Sequence, residues 1–272
     1  MSENNTNWLN VGIGAFIIFA IVLLLILILP FGNLVEQQDQ IAVITINGLV
    51  TYDSSNSTKI FTTSSQIEKA LNDANKDPNV KAIVIDINSV GGSEVASEEI
   101  AEVIKKSSKP VIAYIGDKGL DESYLIASSA DSIVASPYSS VGGIGLSYIE
   151  STKYSKENIT ASFNEDYLQL KKSDKADTDD QKMIDQDYTQ FIKRIAENRD
   201  LNPTDLSKLA DGKKFNGNEA KKLGLVDGIG NKNKAIKLAA SKANATDYAI
   251  VNYPKTQKSL TETLSEKGIL NF

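Results

Sequence analysis

Two glycines between polar neighbours, Asn88-Ser-Val-Gly-Gly-Ser93, are the first residues here whose type and order could do chemistry. Glycine amides at a strand-to-helix junction can point at an anion or at a developing oxyanion. The same residues also make an ordinary turn, in which glycine relieves backbone strain and Ser93 caps the following helix. Val141-Gly-Gly-Ile-Gly145 is a second glycine-rich stretch, too generic to read as a nucleotide loop. The chain has 272 residues with no cysteine and no histidine. A thiolate nucleophile, a disulfide, a zinc ribbon, a Ser-His-Asp triad and an imidazole metal ligand are all excluded. Catalysis, if any, must come from Ser, Thr, Tyr, Lys, Asp, Glu or backbone groups, and no residue pattern asks for a cofactor or a metal.

The elements that must position these glycines are strands alternating with helices. Residues 41–47 are β-branched and strand-like, 66–76 form an amphipathic helix through Ile67, Ala70 and Leu71, and 81–88 form a strand buried on both faces. Residues 93–106 are helical, with Val95, Ile100, Val103 and Ile104 on one face. A strand over 110–115 and a helix over 122–129 follow. This order predicts parallel pairing with right-handed crossovers. Farther on, short strands are expected at 131–135 and 145–149, helices at 179–198, 203–210, 218–223 and 232–243, and a strand at 248–252. No internal repeat is present.

Composition limits the partners. With 35 acidic against 29 basic residues the chain has a net charge of −6, which disfavours nucleic acid as its ligand. From Leu9 to Phe31 there is no charged residue. About 20 such residues span a hydrocarbon core of ~30 Å, so 9–31 is expected to be a transmembrane helix in contact with the lipid bilayer. The preceding residues, 1–8, carry no Lys or Arg, and Pro30-Phe31-Gly32 follows the apolar run. Both features argue against a cleaved signal peptide. The first basic residue is Lys59, which leaves the positive-inside rule nothing to count.

The order of several short motifs carries a resemblance. Ile87-Asn-Ser-Val-Gly-Gly-Ser93, Lys109-Pro-Val-Ile-Ala-Tyr-Ile-Gly-Asp117, Tyr124-Leu-Ile-Ala127, Ala130-Asp-Ser-Ile-Val-Ala-Ser-Pro137, Gly142-Gly-Ile-Gly145 and Gly217-Asn-Glu-Ala-Lys-Lys-Leu-Gly-Leu-Val-Asp227 resemble the signal peptide peptidase A family of serine peptidases, over residues 41 to 240. The resemblance implies an α/β fold of stacked ClpP/crotonase-like βαβ units with a C-terminal helical region, and a homo-oligomer beside the membrane. It also implies cleavage of leftover signal peptides by a serine nucleophile with a lysine base. Such a dyad suits a protein without histidine, because a lysine of depressed pKa can accept the serine proton while glycine amides hold the oxyanion.

At the catalytic positions the sequence departs from the family pattern. The family motif Gly-Asp-x-Ala-Ala-Ser-Gly-Gly-Tyr-Tyr-Ile-Ala aligns without gaps on Gly116-Asp-Lys-Gly-Leu-Asp-Glu-Ser-Tyr-Leu-Ile-Ala127. Asp121 stands at the nucleophile position, and Glu122 and Ser123 replace the two glycines after it. Alignment on Tyr167 puts Leu168 where the family has its lysine, with Lys171, Lys172 or Lys175 reachable by a shifted gap. The peptidase reading therefore needs Ser123 as a displaced nucleophile with Lys171 as base, and Gly91, Gly92 and Glu122 at the oxyanion or peptide-binding position. A shift of two residues on a helix turns a side chain by roughly 200°, which opposes that reading. Simpler roles are an N-cap for Asp121 and local backbone bonding for Ser123. A third reading groups Asp117, Asp121 and Glu122 as an acid/base pair or a cation site.

The sequence thus predicts a polar N-terminal segment at 1–8, an anchor at 9–31, a linker at 32–40, an α/β domain at 41–253 and a polar tail at 254–272. The expected protein is single-pass in the cell membrane, with its soluble domain extracytoplasmic. Four Asn-x-Ser/Thr sequons, at Asn4, Asn56, Asn158 and Asn244, agree with an external face. Its expected role is to bind or scaffold hydrophobic peptides or signal peptide remnants without cleaving them, as a homo-oligomer or with an active paralogue. The alternative is an active serine endopeptidase. Arg194 and Arg199 are expected to make structural ion pairs.

Overall fold

The computed structural model describes residues 14, 16–24, 38–52, 61–145 and 178–255. The chain divides into two compact units, Met1–Gln38 and Asp39–Phe272. In the first, residues 16–24 are helical and Phe16, Ile18 and Phe19 are exposed. No helix among the described residues is long and apolar enough to cross a membrane. The remainder of the expected span, apart from Gly14, lies outside the described residues.

The second unit follows from strict alternation along its inner strands. In β1 (Asp39–Asn47), β4 (Val80–Ser89) and β5 (Val111–Leu120) successive side chains must point to opposite faces. Ala42, Ile44, Ile46, Ile83, Ile85, Ile87, Ala113 and Ile115 enter one apolar layer, whereas Ile41, Val43, Ala82, Val84 and Ile112 enter the other. A sheet apolar on both faces needs helices on both, which is the condition for parallel strands. The order β10-β1-β4-β5-β6-β9 is parallel throughout, with β6 at Ser132–Ala135, β9 at Gly228–Ile229 and β10 at Tyr248–Tyr253.

Helices α1 (Ser64–Lys76) and α2 (Glu94–Lys105) cover the first layer. A capping box of Thr63 and Gln66 starts α1, whose Ile67, Ala70, Leu71 and Ala74 form one buried stripe. Ser93 starts α2 by accepting from the Ala96 N–H at 3.3 Å, as expected, and Ile100 and Ile104 are buried. The short α3 (Glu122–Ser128) buries Tyr124, Leu125, Ile126 and Ala127 in the same layer, against Phe191, Ile192 and Ile195 of α4 (Thr178–Arg199). Two small helices, α5 (Pro203–Ser207) and α6 (Gly217–Lys222), close that side. Only α7 (Lys232–Lys242) covers the second layer among the described residues, through Ala235, Ile236, Ala239 and Ala240.

Strand β5 extends past the expected end at Ile115 to Leu120. Its first half lies between β4 and β6. After a register shift between Ile87 and Ser89, its second half pairs Lys118–Leu120 with β7 (Ser140–Gly142), which is antiparallel to β8 (Lys214–Asn216). The sheet therefore splays at this end. The strand expected at 145–149 is not found at Gly145, and 146–149 lie outside the described residues. A separate parallel pair, β2 (Leu49–Thr51) and β3 (Phe61–Thr63), joins the main body where Val50 bridges Gly92.

Both expected arginine pairs are present. Arg194 donates to Glu98 from Nε (2.9 Å) and Nη2 (2.6 Å), tying α4 to α2. Arg199 donates to both oxygens of Asp227 (3.0 and 2.7 Å), and Asp227 also accepts from the Ile133 N–H at the start of β6. Truncation of Arg199, whose side chain is 8% exposed, would leave that carboxylate without its fork. Arg199→Ala should lower stability by about 1.5–3 kcal/mol, the range for hydrogen bonds to charged groups, read as a lower urea midpoint at unchanged m.

Candidate functional site

The site lies where the sheet splays, at the C-terminal ends of β4 and β5. After Ser89 the chain turns through Gly91 (φ 104°) and Gly92 (φ 153°), conformations that residues with a Cβ rarely adopt. Backbone bonds clamp this turn on one side: Val50 N–H donates to Gly91 O (3.0 Å) and Ser93 N–H to Val50 O (2.8 Å). A Cβ on Gly92 would collide with the Val50 carbonyl, and one on Gly91 with the Glu122 carboxylate. Glycine at both positions leaves a recess with Val50 on one wall and Glu122 on the other.

The facing wall is the turn from β5 into α3. Asp121 sits at φ 54° and ψ −126°, outside the regions open to ordinary residues, a conformation that costs about 1–3 kcal/mol. Its N–H donates to Gly142 O (2.8 Å), so the expected glycine stretch at 141–145 serves as a support for this turn. Asp121 occupies the N-cap position without capping, contrary to the simple expectation. Its side chain makes no cap bond, and Oδ1 is buried without a partner.

Glu122, one residue on, reaches back across the recess. Its Oε2 accepts from the Gly92 N–H at 2.9 Å, while the Gly91 N–H donates to Ser89 Oγ at 3.1 Å. Both glycine amides are thus engaged within the chain, that of Gly92 by a carboxylate. Burial is the main cause raising both carboxyls above their ordinary range, Asp121 to about 9, with Glu122 and Glu94 adding repulsion and the Gly145 amide opposing it. The two titrate as a pair. Glu122, which accepts the Gly92 N–H, is the member better able to carry the charge, while Asp121 retains its proton at neutral pH.

Ser123 is fully buried. Its Oγ lies 2.9 Å from Ser89 O and 2.6 Å from Leu120 O, and accepts from the Leu120 N–H at 2.9 Å. The hydroxyl stitches the ends of β4 and β5 to the start of α3, as the local-bonding reading expects. It does not face the recess formed by Gly91, Gly92 and Glu122. Lys171 and Leu168 lie outside the described residues, as do Lys172 and Lys175. Asp117 is exposed on β5 and does not join Asp121 and Glu122, and among the described residues no three His, Cys, Asp or Glu side chains are arranged to hold a metal ion. Glu94 was not a candidate in the sequence. It occupies the first turn of α2, where an acid is an ordinary choice, and only the fold turns it toward the pair.

Residues 103–246 match the model of peptidase family S49. A protein named as a protease from Methanocaldococcus jannaschii is 36% identical over 197 residues, 67% of this chain and 63% of its own length. Protease 4 of Salmonella typhi is 34% identical over 71% of this chain and 32% of its own. The chain therefore spans less than two thirds of either curated relative. Among solved structures, the 1510-N membrane-bound stomatin-specific protease in complex with a substrate peptide superposes with a TM-score of 0.57 at 18% identity, covering 85% of this chain and 98% of that one. That likeness shows the fold.

Because the folded state holds a proton on Asp121 that the unfolded chain releases near 3.8, this group's contribution is fully present below that pH and is lost as pH rises toward about 9. Asp121→Asn cannot ionise. Thermal unfolding of the wild type should therefore fall more steeply between about pH 5 and pH 8 than that of Asp121→Asn, by several degrees at ~2–4 °C per kcal/mol. Parallel pH profiles for the two proteins would show that Asp121 ionises freely in the fold.

Proposed function

The chain belongs to peptidase family S49, and from that membership we propose that it is a membrane-anchored homologue that binds hydrophobic peptides without cleaving them. Signal peptide remnants are the expected ligand class. In this reading residues 9–31 are the bilayer anchor, 32–40 a linker, and 41–253 an extracytoplasmic peptide-binding domain acting as a homo-oligomer or beside an active paralogue. The uncharged run 9–31 and the exposed Phe16, Ile18 and Phe19 support the anchor. The solved relative, a membrane-bound protease holding a substrate peptide, supports a peptide as the ligand.

The observation that carries the non-catalytic reading is the Glu122 carboxylate on the Gly92 N–H beside Asp121. A serine peptidase needs an exposed hydroxyl about 3 Å from the carbonyl carbon and unengaged N–H groups for the oxyanion. Here the strained turn presents a carboxyl, the Ser123 hydroxyl is bonded within the backbone, and the Gly92 amide holds an anion. A second negative charge about 4 Å from that carboxylate would meet ~4 kcal/mol of repulsion at an effective dielectric of 20. That term alone opposes formation of a tetrahedral oxyanion by roughly three powers of ten in rate.

The test uses the full chain in detergent with a fluorogenic hydrophobic peptide. Saturable binding by fluorescence anisotropy without cleavage above the buffer rate is expected. Cleavage by the wild type that Ser123→Ala abolishes would make this a rearranged serine peptidase. Absence of binding would remove the peptide-binding role.

A further inference from the structure

Glu122 is set on the first turn of α3 with its carboxylate in the glycine recess, and it is only partly buried. Gly92, its partner, is exposed. The recess is shaped around this side chain, since the absence of a Cβ on Gly91 is what lets Glu122 Oε2 reach the Gly92 N–H. The main chain on both sides is fixed independently of Glu122. Val50 clamps the glycine turn, Gly142 O holds the Asp121 N–H, and the Ser123 hydroxyl ties α3 to β4 and β5. Rotation about the three side-chain torsions of Glu122 can therefore empty the recess with no change in backbone.

We propose that Glu122 is a built-in occupant of the peptide site, a side-chain gate that closes the Gly91–Gly92 recess and must swing out before a peptide carbonyl can take the Gly92 N–H. This rests on the peptide-binding reading above and adds its regulation. The contact is charge-assisted and stronger than a neutral amide bond to the same donor. A peptide carbonyl, being neutral, competes for Gly92 at a disadvantage while Glu122 is ionised. The charged groups facing Glu122 are all acidic: Asp121 from the same turn and Glu94 from α2. Behind Glu94 stand Asp187 of α4 and Glu98 of α2, and Arg194 neutralises Glu98 from the far side. No described cation competes with Gly92 for the carboxylate, and acidification weakens the closed state by protonating it.

Two readouts on the full chain in detergent test the gate. First, with ¹⁵N-glycine labelling the chain yields 17 glycine amides, few enough to resolve and assign Gly92 by substitution. The Gly92 resonance should move with pH in the wild type and lose most of that movement in Glu122→Ala, keeping only what Asp121 and Glu94 cause. A Gly92 amide identical in both proteins would overturn the contact whether or not any peptide binds. Second, a labelled hydrophobic peptide should bind Glu122→Ala at least about tenfold more tightly than wild type, the factor equivalent to 1.4 kcal/mol. Glu122→Gln, which keeps an acceptor but loses the charge, should fall between them. Equal affinity of wild type and Glu122→Ala would overturn the gate. If Gly92 responds as expected but neither protein binds peptide, the contact stands while the peptide-binding reading fails, and the gate fails with it.

Discussion

The backbone at Asp121 is the constraint on which the site depends. A β-strand must end and a helix begin within one residue, and the turn does so at φ 54° and ψ −126°. Such a conformation persists only where its surroundings over-determine it. Here Gly142 O receives the Asp121 N–H, the Tyr124 and Leu125 amides return to the Asp121 carbonyl, and the Ser123 hydroxyl bridges three backbone groups of β4 and β5. The splay of the sheet creates the opportunity. Because β5 exchanges β6 for β7 past Ile115 while β4 stays beside it as far as Ser89, both strand ends and both glycine turns converge on one corner. A strained strand-to-helix turn of this kind presents a side chain at the end of a sheet, the arrangement that nucleophile-bearing turns use. In this chain the presented group is a carboxyl.

That exchange alters the electrostatics rather than the backbone. A serine here would be neutral; Asp121 and Glu122 together bring two titratable acids into a half-enclosed corner already faced by Glu94. Retention of a proton by Asp121 and bonding of Glu122 to the Gly92 amide are the two ways in which the fold accommodates them. The same amide arrangement that could hold an oxyanion instead holds a carboxylate of the chain. What supports the turn (Gly142, Ser123, Val50) is separate from the side chain it presents.

Much of this architecture is legible in residue order. The β-branched runs of β1 and β4 and the Ser93 cap follow from alternation and capping alone, and the glycine pair at 91–92 follows from its place between a strand and a helix. The extension of β5 through Gly116-Asp-Lys-Gly119 is not legible, because those residues are poor strand formers and pair with the distant β7 and, past a register shift, with Ser89 of β4. Strands β2, β3, β8 and β9 are two or three residues long and exist through tertiary partners. At the site, the substitution of Asp121 is evident from motif order, but its failure to cap is not. A cap is a matter of φ/ψ, and the positive φ at Asp121 is imposed by neighbours far away in sequence. The bond from Gly92 to Glu122 spans 30 residues and has no local signature.

On the reading proposed above, the corner built by β4, β5 and α3 carries a strained strand-to-helix turn that presents Asp121 in place of a nucleophile. Reaction of the full chain with a fluorophosphonate, followed by mass spectrometry of the peptides, tests it most directly, because such reagents modify a serine only where the hydroxyl is activated and amide donors stabilise the adduct. No adduct is expected on Ser123 or on any other serine. A stoichiometric adduct on Ser123 would contradict it, since that hydroxyl would then be exposed, activated and facing the Gly92 amide.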